Sequence, residues 1–582
     1  MRRVWLALLV LAGVWFAALV HRGAPVAADE IEFFRATRWI GEGKVPFLDF
    51  WEHHTPLQWI VFAPVARLFA NDPGVESIVV MRWAQLALWI AIAAVLIRLG
   101  RREALNAWPA LVLLFASATF VRKAVEYRVD VPGNLAYLAA VALVAFGATR
   151  ARWIGFGALM SAAVLANMRL APLVVITALM ALFWRAEERR WRWNGRALWM
   201  AAGVAGVAAS FIACLVILRA WTPFLDSIVH YNVASATLLE VDTFFDAFLL
   251  PLWALDAGGI AFWLLAAAGT VMALRHIRTP GPLQFLALLA IASAATIAAM
   301  EVQYDYHFQN AWLLLLPLAA LAIERLRQRW EAIVAVVAAT SLVIFVVQVL
   351  PTFGAETGYQ DEVMTTVDRL TEPGETVFDG AGFALRREPA YRYWFLTTGV
   401  RMMAHARLIE PYDERDMAMR PPAAVVADYR MRVYLRMFPR LARYATTHYL
   451  PLFRDLWVPG LTALVGPRPE RVLWVAPRAG RYDVYTSTAL ATHPWLTNPL
   501  AYAEARGRNA PGYVIPLRRL PQDVTAEWTV DGIAQPHGAR TLTLRKGSRV
   551  EAIVTSGRRA GVLLVPHGID TLGLAPADPF LF

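Results

Sequence analysis

The sequence predicts a polytopic α-helical membrane protein. About 11 transmembrane helices would precede a C-terminal extracytoplasmic region, built as an α/β part plus a β-sandwich-like part. Three observations carry this expectation. Of 582 residues, 58% are apolar and 17% charged, and the mean hydropathy is +0.45. Soluble domains run nearer a quarter charged. The apolar residues gather in blocks of roughly 17–25 up to Leu350, the length that crosses ~30 Å of hydrocarbon as helix. Beyond Leu350 the composition becomes ordinary. A purely soluble enzyme, a disordered chain and a collagen-like fibre are excluded.

The expected spans are Val4–Val20, Val75–Ile97, Leu105–Val121, Val129–Gly147, Trp153–Asn167, Leu170–Trp184, Ala197–Leu218, Gly258–Leu274, Leu283–Met300, Ala311–Ile323 and Ala332–Leu350. With the N-terminus in the cytoplasm, behind Arg2 and Arg3, every inner loop is basic. Examples are Arg98, Arg101 and Arg102, and then Arg185, Arg189, Arg190, Arg192 and Arg196. That is the positive-inside pattern. It accounts for the formal charge of +11 without a nucleic-acid partner. An odd number of spans places the tail outside. Val26-Ala27-Ala28 also resembles a signal cleavage site, which would leave the later topology unchanged. The single cysteine, Cys214, lies in an apolar block and reads as a buried small side chain; it excludes a disulfide framework.

The outer loops differ in length. Residues 21–74 form a long one, in which Leu57–Ala70 is apolar but short, as in an interfacial or re-entrant helix. Another, Arg219–Ala257, carries Glu240, Asp242, Asp246 and Asp256. The expected domains are 1–350 in the membrane, 351–464 as an α/β region and 465–582 as a β-sandwich-like region. Thr376–Asp379 and Ala423–Asp428 read as buried strands and Arg432–His448 as a helix. Val472–Ala476, Tyr482–Thr486, Tyr513–Leu517, Thr525–Val530, Thr541–Leu544, Val550–Val554 and Gly561–Val565 read as short strands broken by Gly and Pro.

Chemistry-bearing residues cluster in the outer loops. Asp29 and Glu30 follow the first span, at the water–lipid boundary, where a carboxylate stays ionised yet reaches a membrane-anchored substrate. Gly43-Lys44-Val45-Pro46-Phe47-Leu48-Asp49-Phe50-Trp51-Glu52-His53-His54-Thr55-Pro56-Leu57 follows. Arg122, Lys123, Arg128 and Asp130 form an outer charge cluster against the topological grain, which a lipid phosphate would explain. Arg128 and Asp130 also fit a simple ion pair capping a helix. Arg169 lies at an outer turn, as a phosphate contact or a snorkelling side chain. His307 and Gln309 stand in the stretch Glu301–Asn310, where Tyr304 and Tyr306 read as interface anchors. No phosphate-binding Gly-rich loop, Gly-x-Ser-x-Gly elbow or His-Glu-x-x-His motif is present.

The acidic pair after span one and the Gly-x-x-Pro-Phe-x-Asp-Phe-Trp-Glu segment resemble bacterial members of the GT-C glycosyltransferase superfamily. The nearest group is the protein O-mannosyltransferase-like one (glycosyltransferase family thirty-nine and relatives, including the lipid A aminoarabinose transferase). The resemblance covers residues 1–350 in layout, with motifs in 29–57, 126–133 and 301–310. It implies a multi-pass enzyme of the bacterial inner membrane. Such an enzyme takes a hexose or pentose from a polyprenyl-phosphate donor to an envelope glycan, lipid or protein acceptor, on the periplasmic or external face. Asp29 matches the catalytic carboxylate, with Glu30 beside it. Glu52, His53, His54, Arg122, Lys123, Arg128, Asp130, Arg169, His307 and Gln309 are the implied contacts to donor phosphate or sugar. The family commonly has Lys before Pro-Pro where this chain has His53-His54-Thr55-Pro56. The histidines could donate to phosphate, join Glu52 in holding a divalent metal, or shape the loop. No cofactor is otherwise implied. An oligosaccharide ligase or polymerase with a pyrophosphate-linked donor, a transporter and a scaffold remain as alternatives.

Overall fold

The long apolar blocks become helices. The computed structural model describes residues 1–69, 71–147, 149–238, 249–275, 281–300, 304–451, 455–497 and 521–568. The chain divides into two compact units, one of residues 1–72 and 76–357 and one of residues 73–75 and 358–582.

The first unit is helical. Its elements include α1 (Arg2–Ala18), α2 (Ala28–Gly41), α3 (Leu57–Leu68), α4 (Glu76–Arg102), α5 (Trp108–Phe115), α6 (Ala118–Ala124), α7 (Asp130–Ala145), α8 (Arg150–Ala166), α9 (Ala171–Phe183), α10 (Ala197–Ile217), α11 (Ala257–Arg275), α12 (Pro282–Ala298) and α13 (Gln309–Val349). Among the described residues, six segments are long and apolar enough to cross a membrane; α3, α7, α9 and α12 are shorter apolar helices. The expected third span is broken at Ala116–Ser117. The Ser117 hydroxyl caps α6 and donates to Asp256 at 2.6 Å, and Asp256 also accepts the Thr119 and Gly259 N–H groups. A break in apolar surroundings is tolerated because these groups are satisfied internally.

The last helix corrects a simple picture. Forty-one residues of straight helix would run about 62 Å. Yet Trp312 stacks on Phe120 at 5.8 Å, while Leu342 packs with Ala116 and Ala12. Ala116 and Phe120 are neighbours, so both ends of α13 share one level. The chain turns back between Ile323 and Glu331, where Trp5 Nε1 donates to Glu331 at 2.9 Å. The two expected spans thus lie in one run of helical backbone. Helices α8 and α10 pack backbone to backbone, because a Cβ on Gly157 or Gly203 would collide with Met200 or Ile154. Cys214, expected buried, is exposed on α10. Glu240, Asp242 and Asp246 lie outside the described residues.

Among the described residues, the second unit holds three sheets. Strands β1 (Thr376–Asp379), β2 (Glu388–Pro389), β3 (Ala424–Val426), β4 (Tyr449–Pro451) and β5 (Leu456–Pro459) form a mixed sheet in the order β2-β1-β3-β5-β4. Its β1 pairs parallel with β2 and β3. Helices α14 (Ala355–Leu370), α15 (Thr398–His405), α16 (Tyr429–Met437) and α17 (Pro439–His448) accompany it, α14 beginning in the first unit. The helix expected over 432–448 is two, since Pro439 cannot continue α16 and instead opens α17. Two four-stranded antiparallel sheets follow. One orders β6 (Leu461–Val465), β8 (Gly480–Ser487), β11 (Thr541–Leu544) and β13 (Ala560–Pro566) as β11-β8-β13-β6. The other orders β7 (Glu470–Val475), β9 (Thr525–Val530), β10 (Ile533–Ala534) and β12 (Arg549–Thr555) as β10-β9-β12-β7. Alternate residues such as Trp528 and Val530, Val550 and Val554, and Leu542 and Leu544 face one shared core. The strand expected at Tyr513–Leu517 lies outside the described residues.

Candidate active site

Helix α2 opens with the acidic pair, and its two carboxylates have different surroundings. Glu30 is fully buried. Arg82 of α4 donates to it from Nε at 2.7 Å and from Nη2 at 2.6 Å. The Tyr127 N–H donates at 2.7 Å, and the Ala27 N–H closes the first turn at 2.9 Å. Both oxygens are engaged, so Glu30 ties α2, α4 and the 125–129 loop together.

Asp29, next door, keeps 31% of its side chain exposed and accepts from Arg128 Nη1 at 3.2 Å. Arg128 is buried and spans three carboxylates: Asp29, Glu126 at 3.0 Å and Asp130 at 2.9 Å. Asn167 donates to the other Asp130 oxygen at 2.8 Å. Lys123 pairs with Glu126 at 3.0 Å. Arg128 lies 3.8 Å over the ring of Tyr306, and Arg169 donates to the Tyr306 hydroxyl at 3.1 Å. Arg169 Nη1 also lies 2.7 Å from His307 Nε2.

Beside this network lies a small cavity of about 30 Å³. Asp130, Asn167, Arg169, Tyr306 and His307 line it, with Asn134, Ser293 and Asn310 next to apolar Leu173 and Ile297. Asn310 donates to Asn134 at 3.0 Å and accepts from Ser293 at 3.4 Å, within apolar helices.

A second constellation sits one turn along α2. Glu32, Glu52, His53 and His54 each offer one ligand atom, and these atoms lie within 4.8 Å of one another. His53 Nδ1 is 3.3 Å from both Glu32 and Glu52; His54 Nδ1 is 2.9 Å from Glu52 and 3.9 Å from Glu32. Tetrahedral zinc with ligands at ~2.0–2.2 Å needs ligand separations of about 3.3–3.5 Å. Glu52 Oε2 is buried without a hydrogen-bond partner. Burial alone would raise the Glu52 carboxyl, but hydrogen bonds from His53 and His54 hold it at about 2. Burial and the neighbouring His54 push His53 down to about 4. Ionised carboxylates and neutral imidazoles are the forms that bind a divalent cation. The residues present therefore fit zinc or manganese.

The structure brings together Asp29, Lys123, Arg128, Asp130, Arg169 and His307. It differs from expectation at several others. His53 and His54 turn their Nδ1 atoms to carboxylates rather than to a phosphate pocket. Arg122 stands exposed outside the network. Gln309 is buried with both amide atoms unpartnered. Tyr306 is no mere interface anchor, since it lies between two arginines. Sequence reading missed Arg82, Gln85, Asn134 and Asn310. Polar residues inside apolar spans were the available signal.

No family model matches the chain, and no curated protein matches it significantly. Among the solved structures that are similar are two of one protein. ArnT from Cupriavidus metallidurans in the apo state aligns with a TM-score of 0.51 at 15% identity, covering 66% of this chain and 85% of that one. The same enzyme bound to undecaprenyl phosphate aligns with a TM-score of 0.46 at 17% identity, covering 79% and 93%. At this identity the likeness is one of fold, and the chain has a GT-C-type fold.

Proposed function

We propose that the chain is an integral membrane glycosyltransferase that moves a sugar from a polyprenyl-phosphate carrier to an envelope glycan, lipid or protein acceptor. One observation carries this reading. A partly exposed carboxylate, Asp29, stands in one network with two cations, buried Arg128 and half-buried Arg169, that flank Tyr306 at the edge of a small cavity among apolar helices. The GT-C-type fold and the expected outer position of these loops support it.

Asp29 accepts the acceptor hydroxyl's proton as that oxygen attacks the anomeric carbon. The carrier phosphate leaves from the opposite face with inversion. Arg169 and the protonated faces of the network offset its charge. Phosphate leaves without a strong acid, so one carboxylate suffices, unlike the paired carboxylates of glycoside hydrolysis. Arg128 orients Asp29. Glu30 positions α2 through Arg82. A cation at Glu32, Glu52, His53 and His54 would supply fixed positive charge and pin the 52–54 loop to α2.

The test is transfer of radiolabelled sugar from polyprenyl-phosphate sugar by membranes carrying the protein, with an envelope extract as acceptor. Transfer above that of control membranes is expected. Transfer only from a pyrophosphate-linked oligosaccharide would favour the ligase alternative and overturn this donor assignment.

A further inference from the structure

Helix α10 stands at the rim of the helical unit. Of its 21 residues only Gly203 and Leu215 are buried. Between it and α8 runs a groove of about 540 Å³, lined by Ile154, Ala158 and Leu165 of α8 and by Gly206, Ser210 and Cys214 of α10. The Ser210 hydroxyl donates to the Gly206 carbonyl at 2.8 Å, so it turns back on its own helix and leaves the wall apolar. A Cβ on Gly206 would meet nothing within 4 Å, so the groove is open along this stretch. From Ala202 to Cys214 it follows roughly 18 Å of helix.

One end of the groove is basic. Arg150 opens α8 and lies 5.1 Å over the ring of Trp199, in the first turn of α10, so the two helices begin side by side. Arg152 is exposed in the same turn of α8, and Arg196 immediately precedes α10. Nη1 of Arg196 is buried without an acceptor. Carboxylates of the adjoining loops are engaged elsewhere. Glu188 pairs with Arg185 at 2.6 Å and with Arg190, and Glu103 lies 3.7 Å from Arg189. An apolar trough that ends at three cations complements a molecule with a hydrocarbon chain and an anionic head.

We propose that this groove holds one anionic glycerophospholipid of the surrounding bilayer, its acyl chain along α8 and α10 and its phosphate on Arg150, Arg152 and Arg196. The phosphate supplies the acceptor that Arg196 Nη1 lacks, and guanidinium groups bind it through paired N–H donors. A reacting polyprenyl-phosphate donor does not fit this place. Helix α8 runs about 25 Å from Arg150 to its other end, where Asn167 donates to Asp130 in the candidate active site. A phosphate at the arginine end is thus one helix length from that network. The lipid site stands whether or not the helical unit transfers sugar.

The test titrates the purified full-length protein in detergent with dioleoylphosphatidylglycerol, dioleoylphosphatidylcholine or a polyprenyl phosphate. Native mass spectrometry counts bound lipid. The rate of Cys214 alkylation by N-ethylmaleimide reports the groove, since this is the chain's single cysteine and it is exposed. One phosphatidylglycerol per chain is expected, at a half-saturating concentration roughly tenfold below that of phosphatidylcholine, with Cys214 alkylation slowed in parallel. Replacing Arg150→Gln and Arg196→Gln together should erase the preference between the two phospholipids. Gly206→Leu, whose side chain enters the open groove, should weaken both. Binding of neither phospholipid overturns the site, and equal binding of the two overturns the phosphate assignment. Retention of phosphatidylglycerol with no change at Cys214 overturns the groove. Tighter binding of the polyprenyl phosphate, with Cys214 slowed, would give the groove to the carrier and overturn the phospholipid assignment.

Discussion

Asp29 and Glu30 are adjacent carboxylates on one helix, yet their surroundings have opposite character. Around Glu30 the protein has closed: no solvent, a two-point arginine contact and two backbone donors. Around Asp29 it has stayed open, with partial exposure and a longer contact to an arginine shared with two other acids. A saturated carboxylate holds structure. A carboxylate that retains exposure and a shared counter-ion can take a proton from something that arrives.

Breaking the closed side should give the largest effect. Glu30→Gln leaves the Arg82 charge buried without its partner, which costs about 3–5 kcal/mol. Thermal unfolding in detergent should show a large fall, and transfer should be lost with the fold. An unchanged melting temperature with lost transfer would move catalysis to Glu30. On the open side, Arg169→Gln removes hydrogen bonds to Tyr306 and His307, and carrier turnover should fall roughly 10- to 100-fold through KM. Arg122→Gln, outside the network, should change turnover less than about twofold.

The histidine cluster sharpens the contrast, because it joins the 52–54 loop to Glu32, on the same helix as both acids. Metal analysis of purified protein should find about one zinc or manganese per chain. Chelation should lower the melting temperature, and Glu52→Gln should abolish both the metal and the shift. Protein free of metal and indifferent to chelator would leave the four side chains as a hydrogen-bonded loop anchor.

A smaller, local effect belongs to the second unit. The Asp428 carboxyl is raised from 3.8 to about 7 by burial and by Asp379, with Arg430 and Arg401 also facing it. The folded state then holds a proton that the unfolded chain releases. Stability around α16 should fall as pH rises from about 4 towards 7 and stay level above that. Exchange of the Arg430 and Met431 amides reads it, and Asp428→Asn should flatten the profile.

The chemistry-bearing residues were legible as types in spaced motifs, because acids and arginines beside apolar spans are costly unless used. Their partners were not. Glu30 meets Tyr127 across 97 residues, and Arg169 meets Tyr306 across 137. No local periodicity records such pairings. That is why Glu30 read as an equal of Asp29 and Tyr306 as an anchor. Strands such as Thr525–Val530 were readable from alternation alone. The break at Ser117 was not, because its capping partner, Asp256, is 139 residues away. The fold-back within α13 was legible as two apolar blocks, Ala311–Ile323 and Ala332–Leu350, although no Gly or Pro between Ile323 and Glu331 marks it.

The central claim is that Asp29 is the base and Glu30 its support. Asp29→Asn, assayed for transfer from polyprenyl-phosphate sugar alongside its melting temperature, tests this most directly. The account predicts a loss of about 10²–10⁴-fold in transfer with stability within about 0.5 kcal/mol of wild type. Full transfer by a stably folded Asp29→Asn protein would contradict it.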